Sequence, residues 1–226
     1  MKIKVIVFDF DGVITRRGEA LKEEAWEMLV SQCENDEVEF KEKFSDILKK
    51  NRARYGQGKA KGSREDILRD TFLELGYENF FLQTKICAYA SLYNKIVQDL
   101  IQNDGISEDT RSALRLYSQT LPLYINSATP QYAVVESVKN LELSSFFKEV
   151  LGQPMSKISN LQYVLKNENV EPSALLFVGD GKGDAEAAEA IKCSFVGVSN
   201  DWNCWTKENV EFPLVKNIKN IDKFLI

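Results

Sequence analysis

Histidine is absent from the chain's 226 residues. That absence removes Ser-His-Asp and Cys-His catalysis, HExxH zinc sites, phosphohistidine chemistry and an imidazole general base. Acid–base work must then fall to carboxylates, lysine, tyrosine or cysteine. Cysteine is scarce as well: Cys33, Cys87, Cys193 and Cys204 form no CxxC pair, and their spacing outlines neither a zinc site nor a disulfide framework. Reduced thiols in a soluble, cytoplasmic protein are the expectation. No stretch approaches the ~20 apolar residues of a membrane helix. The apolar run behind Met1-Lys2-Ile3-Lys4 stops at Asp9, short of a signal-peptide core, so no membrane partner is expected. Positive charge is in deficit: 29 Lys plus Arg face 34 Asp plus Glu, for a net charge of −5. Nucleic-acid affinity comes mainly from neutralising phosphates, so no nucleic-acid partner is expected either.

What is present is enough for a folded core. Hydrophobic residues make up 44% of the chain and low-complexity tracts are missing. Ile3 to Phe8 reads as a buried strand, a short and nearly continuous β-branched run. From about Arg16 to Gly105 apolar residues recur at spacings of three and four, as in Phe44, Ile47, Leu48 and in Leu92, Ile96, Leu100, which predicts helices. Ser63 is a candidate N-cap for one of them. Beyond Gly105 helices and strands alternate: helices over 108–118, 131–140, 156–166, 185–191 and 217–225, strands over 121–126, 148–151, 175–178 and 195–198. Alternation implies a parallel sheet covered on both faces. The expected architecture is α/β, a three-layer Rossmann-like parallel-sheet core formed by residues 1–15 and 106–226, with an all-helical cap inserted as residues 16–105.

Four short segments follow the carboxyl ends of predicted strands, where open α/β sheets bind ligands. In Asp9-Phe10-Asp11-Gly12-Val13, alternation along an extended chain turns Asp9 and Asp11 to one side. Two carboxylates this close repel unless a hard divalent cation such as Mg²⁺ sits between them, or unless one stays protonated as an acid. In Asn126-Ser127-Ala128-Thr129-Pro130, a hydroxyl and backbone N–H groups before a helix can hold an anion, or Ser127 and Thr129 can serve as caps. Lys157 opens a predicted helix, where a cation opposes the macrodipole and makes sense beside an anion. Gly179-Asp180-Gly181-Lys182-Gly183-Asp184 adds two carboxylates on a tight turn. These would repel the pyrophosphate of a dinucleotide and suit a metal better. Together the segments supply the parts of phosphoryl transfer.

The order DFDGV, NSATP, Lys157, GDGKGD resembles the four motifs of the haloacid dehalogenase (HAD) superfamily. The helical insertion after the first motif is similar to the cap of its phosphoglycolate phosphatase and β-phosphoglucomutase-like branch. The resemblance implies a Mg²⁺-dependent phosphatase that hydrolyses a small phosphorylated metabolite through an aspartyl-phosphate. In it Asp9 is the nucleophile and Asp11 the acid and base. Ser127, Ala128 and Lys157 bind the phosphoryl group, and the metal is held by Asp9, Asp11 (through its carbonyl), Asp180 and Asp184. Dehalogenases of the superfamily lack the acid–base aspartate that Asp11 represents here, which argues for phosphate chemistry.

The segment Asn51 to Arg64 carries five basic residues (Arg52, Arg54, Lys59, Lys61, Arg64) and no acidic one, a possible clamp for a second anionic group or a solvated loop. Lys61-Gly62-Ser63-Arg64-Glu65 is similar to a β-phosphoglucomutase cap segment in which Lys61 and Arg64 would bind the distal phosphate, so a sugar phosphomutase is the alternative activity. Against it stands the missing hinge-side histidine. Trp202 and Trp205 are expected to pack or to cover the sheet edge, and Tyr55, Tyr89 and Tyr93 to pack, rather than to bind substrate. A monomer or homodimer is expected.

Overall fold

A computed structural model describes residues 2–33, 38–56 and 63–225. The chain divides into two compact units, one comprising residues 1–20 and 101–226, the other residues 21–100. The division falls inside the two helices that lead into and out of the second unit.

The first unit is built on a sheet of six parallel strands: β1 (Val5–Phe8), β2 (Leu123–Pro130), β3 (Glu149–Gln153), β4 (Leu175–Gly179), β5 (Ser194–Val198) and β6 (Leu214–Val215), in the order β3-β2-β1-β4-β5-β6. β1 and β4 are buried along their whole length, which is why they read as continuous Val/Ile/Leu/Phe runs rather than alternating ones. Val5, Val7, Tyr124 and Phe177 pack on one face against Leu161 and Val164 of α7 (Lys157–Glu168) and Ala187 and Ala188 of α8 (Lys182–Ile191). Alternation turns Ile6, Phe8, Leu176 and Val178 to the opposite face, where they too are buried. The fold is therefore the expected α/β parallel sheet with both faces covered.

Register decides where the strands deliver their ends. Phe8 lies level with Ile125 of β2 and Val178 of β4. The chain order reverses about β1, so the crevice at the carboxyl ends opens around this strand.

Two details depart from the sequence expectation. β6 is two residues long and too short to carry a periodic signal. The predicted closing helix over 217–225 is instead a pair of 3₁₀ turns, Ile218–Asn220 and Asp222–Phe224. Burial of Ile218 and Ile221, three residues apart, suits the tighter helix. The Ile218 carbonyl is also taken by the Tyr117 hydroxyl at 3.1 Å, from α5 (Glu108–Ser118).

Among the described residues the second unit draws on α1 (Gly18–Ser31), α2 (Val38–Gly56), α3 (Arg64–Glu74) and α4 (Asn79–Asp104). Ser63 caps α3 as expected, its hydroxyl accepting from the Asp66 N–H at 3.2 Å while the Asp66 carboxylate accepts the Ser63 N–H at 2.8 Å. Phe44, Phe72 and Tyr89 form its centre, with ring centroids 4.9 to 5.7 Å apart. Tyr93 stacks at 4.1 Å on Trp26, so Tyr89 and Tyr93 pack as predicted. Among the described residues, no helix is long and apolar enough to cross a membrane.

Phe72→Ala in this aromatic centre is expected to cost about 3–5 kcal/mol. Phe80→Ala, at a side chain 78% exposed, is expected to change stability by less than ~0.5 kcal/mol. Urea unfolding of the two variants beside the parent checks both values.

Candidate active site

The β1 strand ends on Asp9, whose N–H donates to the Val178 carbonyl at 2.8 Å and so continues the ladder for one more residue. The chain then closes a tight turn in which Ile14 and Thr15 N–H groups return to the Phe10 carbonyl. Gly12 adopts φ +79° in this turn. A Cβ there would lie 1.9 Å from the Asp180 Oδ2, so glycine is required for conformation and for space. On the neighbouring strand Gly179 is required for space alone, since a Cβ would meet the Asp184 Cβ at 2.4 Å.

These close approaches gather three buried carboxylates, Asp9, Asp180 and Asp184, each offering one oxygen within 4.8 Å of the others. Lys157, the first residue of α7, reaches in from the side. Its ammonium lies 3.0 Å from Asp9 Oδ1 and also pairs with Asp184. The unfavourable place of a lysine at a helix start is thus explained by two buried carboxylates. Asp9 Oδ1 additionally accepts the Phe10 N–H at 2.8 Å, and Asp184 Oδ2 accepts the Gly181 N–H at 2.9 Å.

Burial, and then the Asp184 charge, holds the Asp9 carboxyl well above the usual carboxylate range, against the opposing pull of Lys157. Burial likewise raises Asp180 to about 6, although the hydrogen bond from Asn200 works the other way. The carboxylates around it keep Lys157 firmly protonated in spite of its burial.

The other site residues predicted from sequence fall as follows. Asp11 is buried but is not one of the three clustered acids, and its carboxylate accepts from the Thr129 hydroxyl at 3.0 Å. Ser127 is buried, and its Oγ accepts the Thr129 N–H at 3.0 Å, which leaves the hydroxyl proton for an anion. Ala128, the exposed residue between them, lies where the β2–β3 register shifts between Asn126 and Pro130. Of the basic segment, Lys59 and Lys61 lie outside the described residues. Arg52, Arg54 and Arg64 are engaged within the helical unit: Arg52 with Glu23 and over the Trp26 ring, Arg54 with Asp70 at 3.2 Å, and Arg64 over the Tyr93 ring at 5.1 Å. Trp205 packs edge-on against Phe212 at 4.9 Å. Trp202, expected to pack or to cover the sheet edge, is 59% exposed and lines a cavity of about 250 Å³ with Gly12, Arg16, Arg17 and Asp180.

Several supporting residues carry no signal in spacing. Buried Asn126 donates to the Lys157 carbonyl at 2.9 Å and accepts from Asn160 at 3.0 Å, tying the start of α7 to the end of β2. Thr129 reads from sequence as a candidate cap, whereas its hydroxyl bonds the Asp11 carboxylate. Asn200 and Asn203, behind β5, bond to Asp180. The one hint for them is a cluster of short polar residues just after a predicted strand.

A buried group of three carboxylates with one ammonium, at the switch point of a parallel sheet, marks an α/β enzyme class. Within that class the chain belongs to the haloacid dehalogenase-like hydrolase family, whose model matches residues 3–192. It is 30% identical over 102 residues to the phosphoglycolate phosphatase of Escherichia coli (strain K12). That stretch covers 42% of this chain, and the chain spans about two fifths (39%) of the length of this curated relative. Among solved structures it is similar to a Thermotoga maritima protein named as a β-phosphoglucomutase candidate (TM-score 0.71, 20% identity, covering 99% of this chain and 100% of that one). It is also similar to YfnB of Bacillus subtilis, named as a HAD-hydrolase and solved bound to magnesium (TM-score 0.68, 16% identity, covering 100% and 99%). At these identities the structural likeness is one of fold.

The raised carboxyls set a pH dependence. A folded-state pKa above the unfolded value means the folded chain binds protons that the unfolded chain has released, so stability rises as pH falls through the folded pKa. Asp180, near 6 when folded and 3.8 otherwise, places the window between about pH 7 and about pH 3, and Asp9 acts in the same direction. Asp66, Glu74, Glu168 and Glu208, whose pKa values are lowered, act the other way, and only near and below the ordinary carboxylate range. Metal-free protein in EDTA is therefore expected to melt at a higher temperature at about pH 5.5 than at about pH 7.5. Calorimetry at the two values checks the sign.

Proposed function

We propose that the protein is a phosphatase that hydrolyses a small phosphomonoester through an aspartyl-phosphate on Asp9, with the inserted helical segment as its cap. The reading is carried by one observation: Asp9, Asp180, Asp184 and Lys157, distant in sequence, meet within a few ångströms in a buried pocket.

The residues present fit a divalent cation. One ammonium cannot neutralise three buried carboxylates, and the Asp9 and Asp180 carboxyls are raised by burial first and by the Asp184 charge after it. The donors are carboxylate oxygens, which suit a hard ion such as Mg²⁺. Asp9, Asp180, Asp184 and the Asp11 carbonyl would hold it. When bound, Mg²⁺ supplies charge neutralisation and polarises phosphoryl oxygens.

The chain's own residues do the rest. The Asp9 carboxylate attacks phosphorus, and the P–O bond to the leaving group breaks. Asp11, positioned by the Thr129 hydroxyl, gives its proton to the leaving oxygen. Lys157, the Ser127 hydroxyl and the N–H of Ala128 bind the phosphoryl oxygens, where developing negative charge is stabilised by donors already in place. Asp11, now ionised, takes a proton from water, which attacks the aspartyl-phosphate and frees phosphate and Asp9. The cavity of about 250 Å³ beside Asp180 is the size of a small metabolite. Phosphoglycolate is a natural first substrate to assay, given the E. coli relative.

Asp9→Asn is expected to reduce Mg²⁺-dependent phosphate release to the buffer blank, since an amide cannot attack phosphorus. Malachite-green assays over a panel of phosphomonoesters check it. Wild-type release by Asp9→Asn would refute the role of Asp9, and sugar-phosphate interconversion with slow net release would favour the mutase instead.

A further inference from the structure

Asp9 and Asp184 share the Lys157 ammonium, but among the described residues Asp180 pairs with no ammonium. What it has is a neutral amide. Asn200, in the loop after β5, donates from Nδ2 to Asp180 Oδ2 at 2.7 Å and to the Gly12 carbonyl at 3.3 Å. Its Oδ1 accepts the Trp202 and Asn203 N–H groups at 3.0 and 2.9 Å. Asn203 repeats the arrangement one step back. Its Nδ2 donates to the Asp180 backbone carbonyl at 2.9 Å and the Val198 carbonyl at 2.8 Å. Its Oδ1 accepts the Asn200 and Trp205 N–H groups at 3.2 and 3.0 Å. Both amides use their two donor and two acceptor positions in full. Each oxygen is committed to loop N–H groups, so each NH₂ can face only Asp180 and the carbonyls beside it.

We propose that Asn200 is a positioning residue for divalent-cation binding: it fixes the Asp180 carboxylate against the Gly12 turn, and Asn203 locks the same residue from its backbone. The choice of a neutral donor has a physical consequence. An ammonium or guanidinium would hold Asp180 equally well but would cancel the charge that attracts the cation, whereas an amide orients the carboxylate and leaves that charge intact. The clamp also joins two of the proposed ligand segments, since one NH₂ bridges the turn after β1 and the carboxylate after β4. This inference rests on the metal reading of the Asp9, Asp180 and Asp184 cluster.

The test is direct ion binding, independent of turnover: Mn²⁺ titration followed by electron paramagnetic resonance, with Mg²⁺ in competition. Asn200→Ser retains a hydroxyl that can accept the loop N–H groups but is too short to reach Asp180. It is expected to raise the Kd for both ions about 10- to 100-fold, in protein that circular dichroism in EDTA shows to be folded at the titration temperature although the lost hydrogen bonds lower its melting temperature. Asn203→Ser, which releases the Asp180 carbonyl, weakens binding in the same direction and keeps the test open if the first variant does not fold. Asn209→Ala is the control. Asn209 bonds to the Thr206 N–H and the Cys204 carbonyl in the same loop, at 2.8 and 3.1 Å, without touching Asp180, and its variant should bind ions like the parent. Parent affinity in Asn200→Ser, or an equal loss in Asn209→Ala, overturns the role of Asn200 and leaves the metal reading standing. A parent protein that binds neither ion overturns both.

Discussion

Three carboxylates share a buried space with one ammonium, and most local features of the sheet unit answer to that imbalance. Isolated charges in such a place are costly, and like charges raise one another's pKa. Lys157 bridges two of the three acids and compensates them in part. The Phe10 and Gly181 N–H groups supply further donors to Asp9 and Asp184. The remaining excess of negative charge is what a divalent cation would satisfy.

The precision of the arrangement comes from the sheet rather than from the acids. Parallel pairing sets β1 level with β2 and β4, so residues just past each strand arrive at one edge. Glycine at 12 and 179 then lets neighbouring turns approach closer than any side chain would allow. Asparagine is the other recurring device. Asn126 and Asn160 tie the helix that carries Lys157 to β2, and Asn200 and Asn203 tie Asp180 to the loop behind β5. In each case a neutral amide fixes backbone or carboxylate without altering the charge of the cluster.

The helical unit has a different logic. Its centre is aromatic, formed by Phe44, Phe72 and Tyr89, and three of its arginines settle on acidic or aromatic partners of the same unit. A basic run in sequence therefore resolves, for Arg52, Arg54 and Arg64, into cation–π contacts and ion pairs. Local charge density alone does not distinguish a substrate clamp from such packing.

The amino-acid sequence by itself determined the parallel α/β architecture, the helical insertion and the position of the acidic segments. These follow from local periodicity and from residue types confined to short stretches, such as Val5–Phe8 before Asp9 and Leu175–Gly179 before Asp180. Tertiary structure alone decided the rest. The two-residue β6 has no period to detect, and the closing 3₁₀ turns depend on a Tyr117 hydroxyl 101 residues away. The turn of Asp11 toward Thr129, the exposure of Trp202 and the asparagine clamp on Asp180 are contacts between segments far apart in the chain. Periodicity reports which face of an element is apolar. Which polar partner waits at the end of a strand is set by the register and by loops from other strands, and no local pattern encodes it.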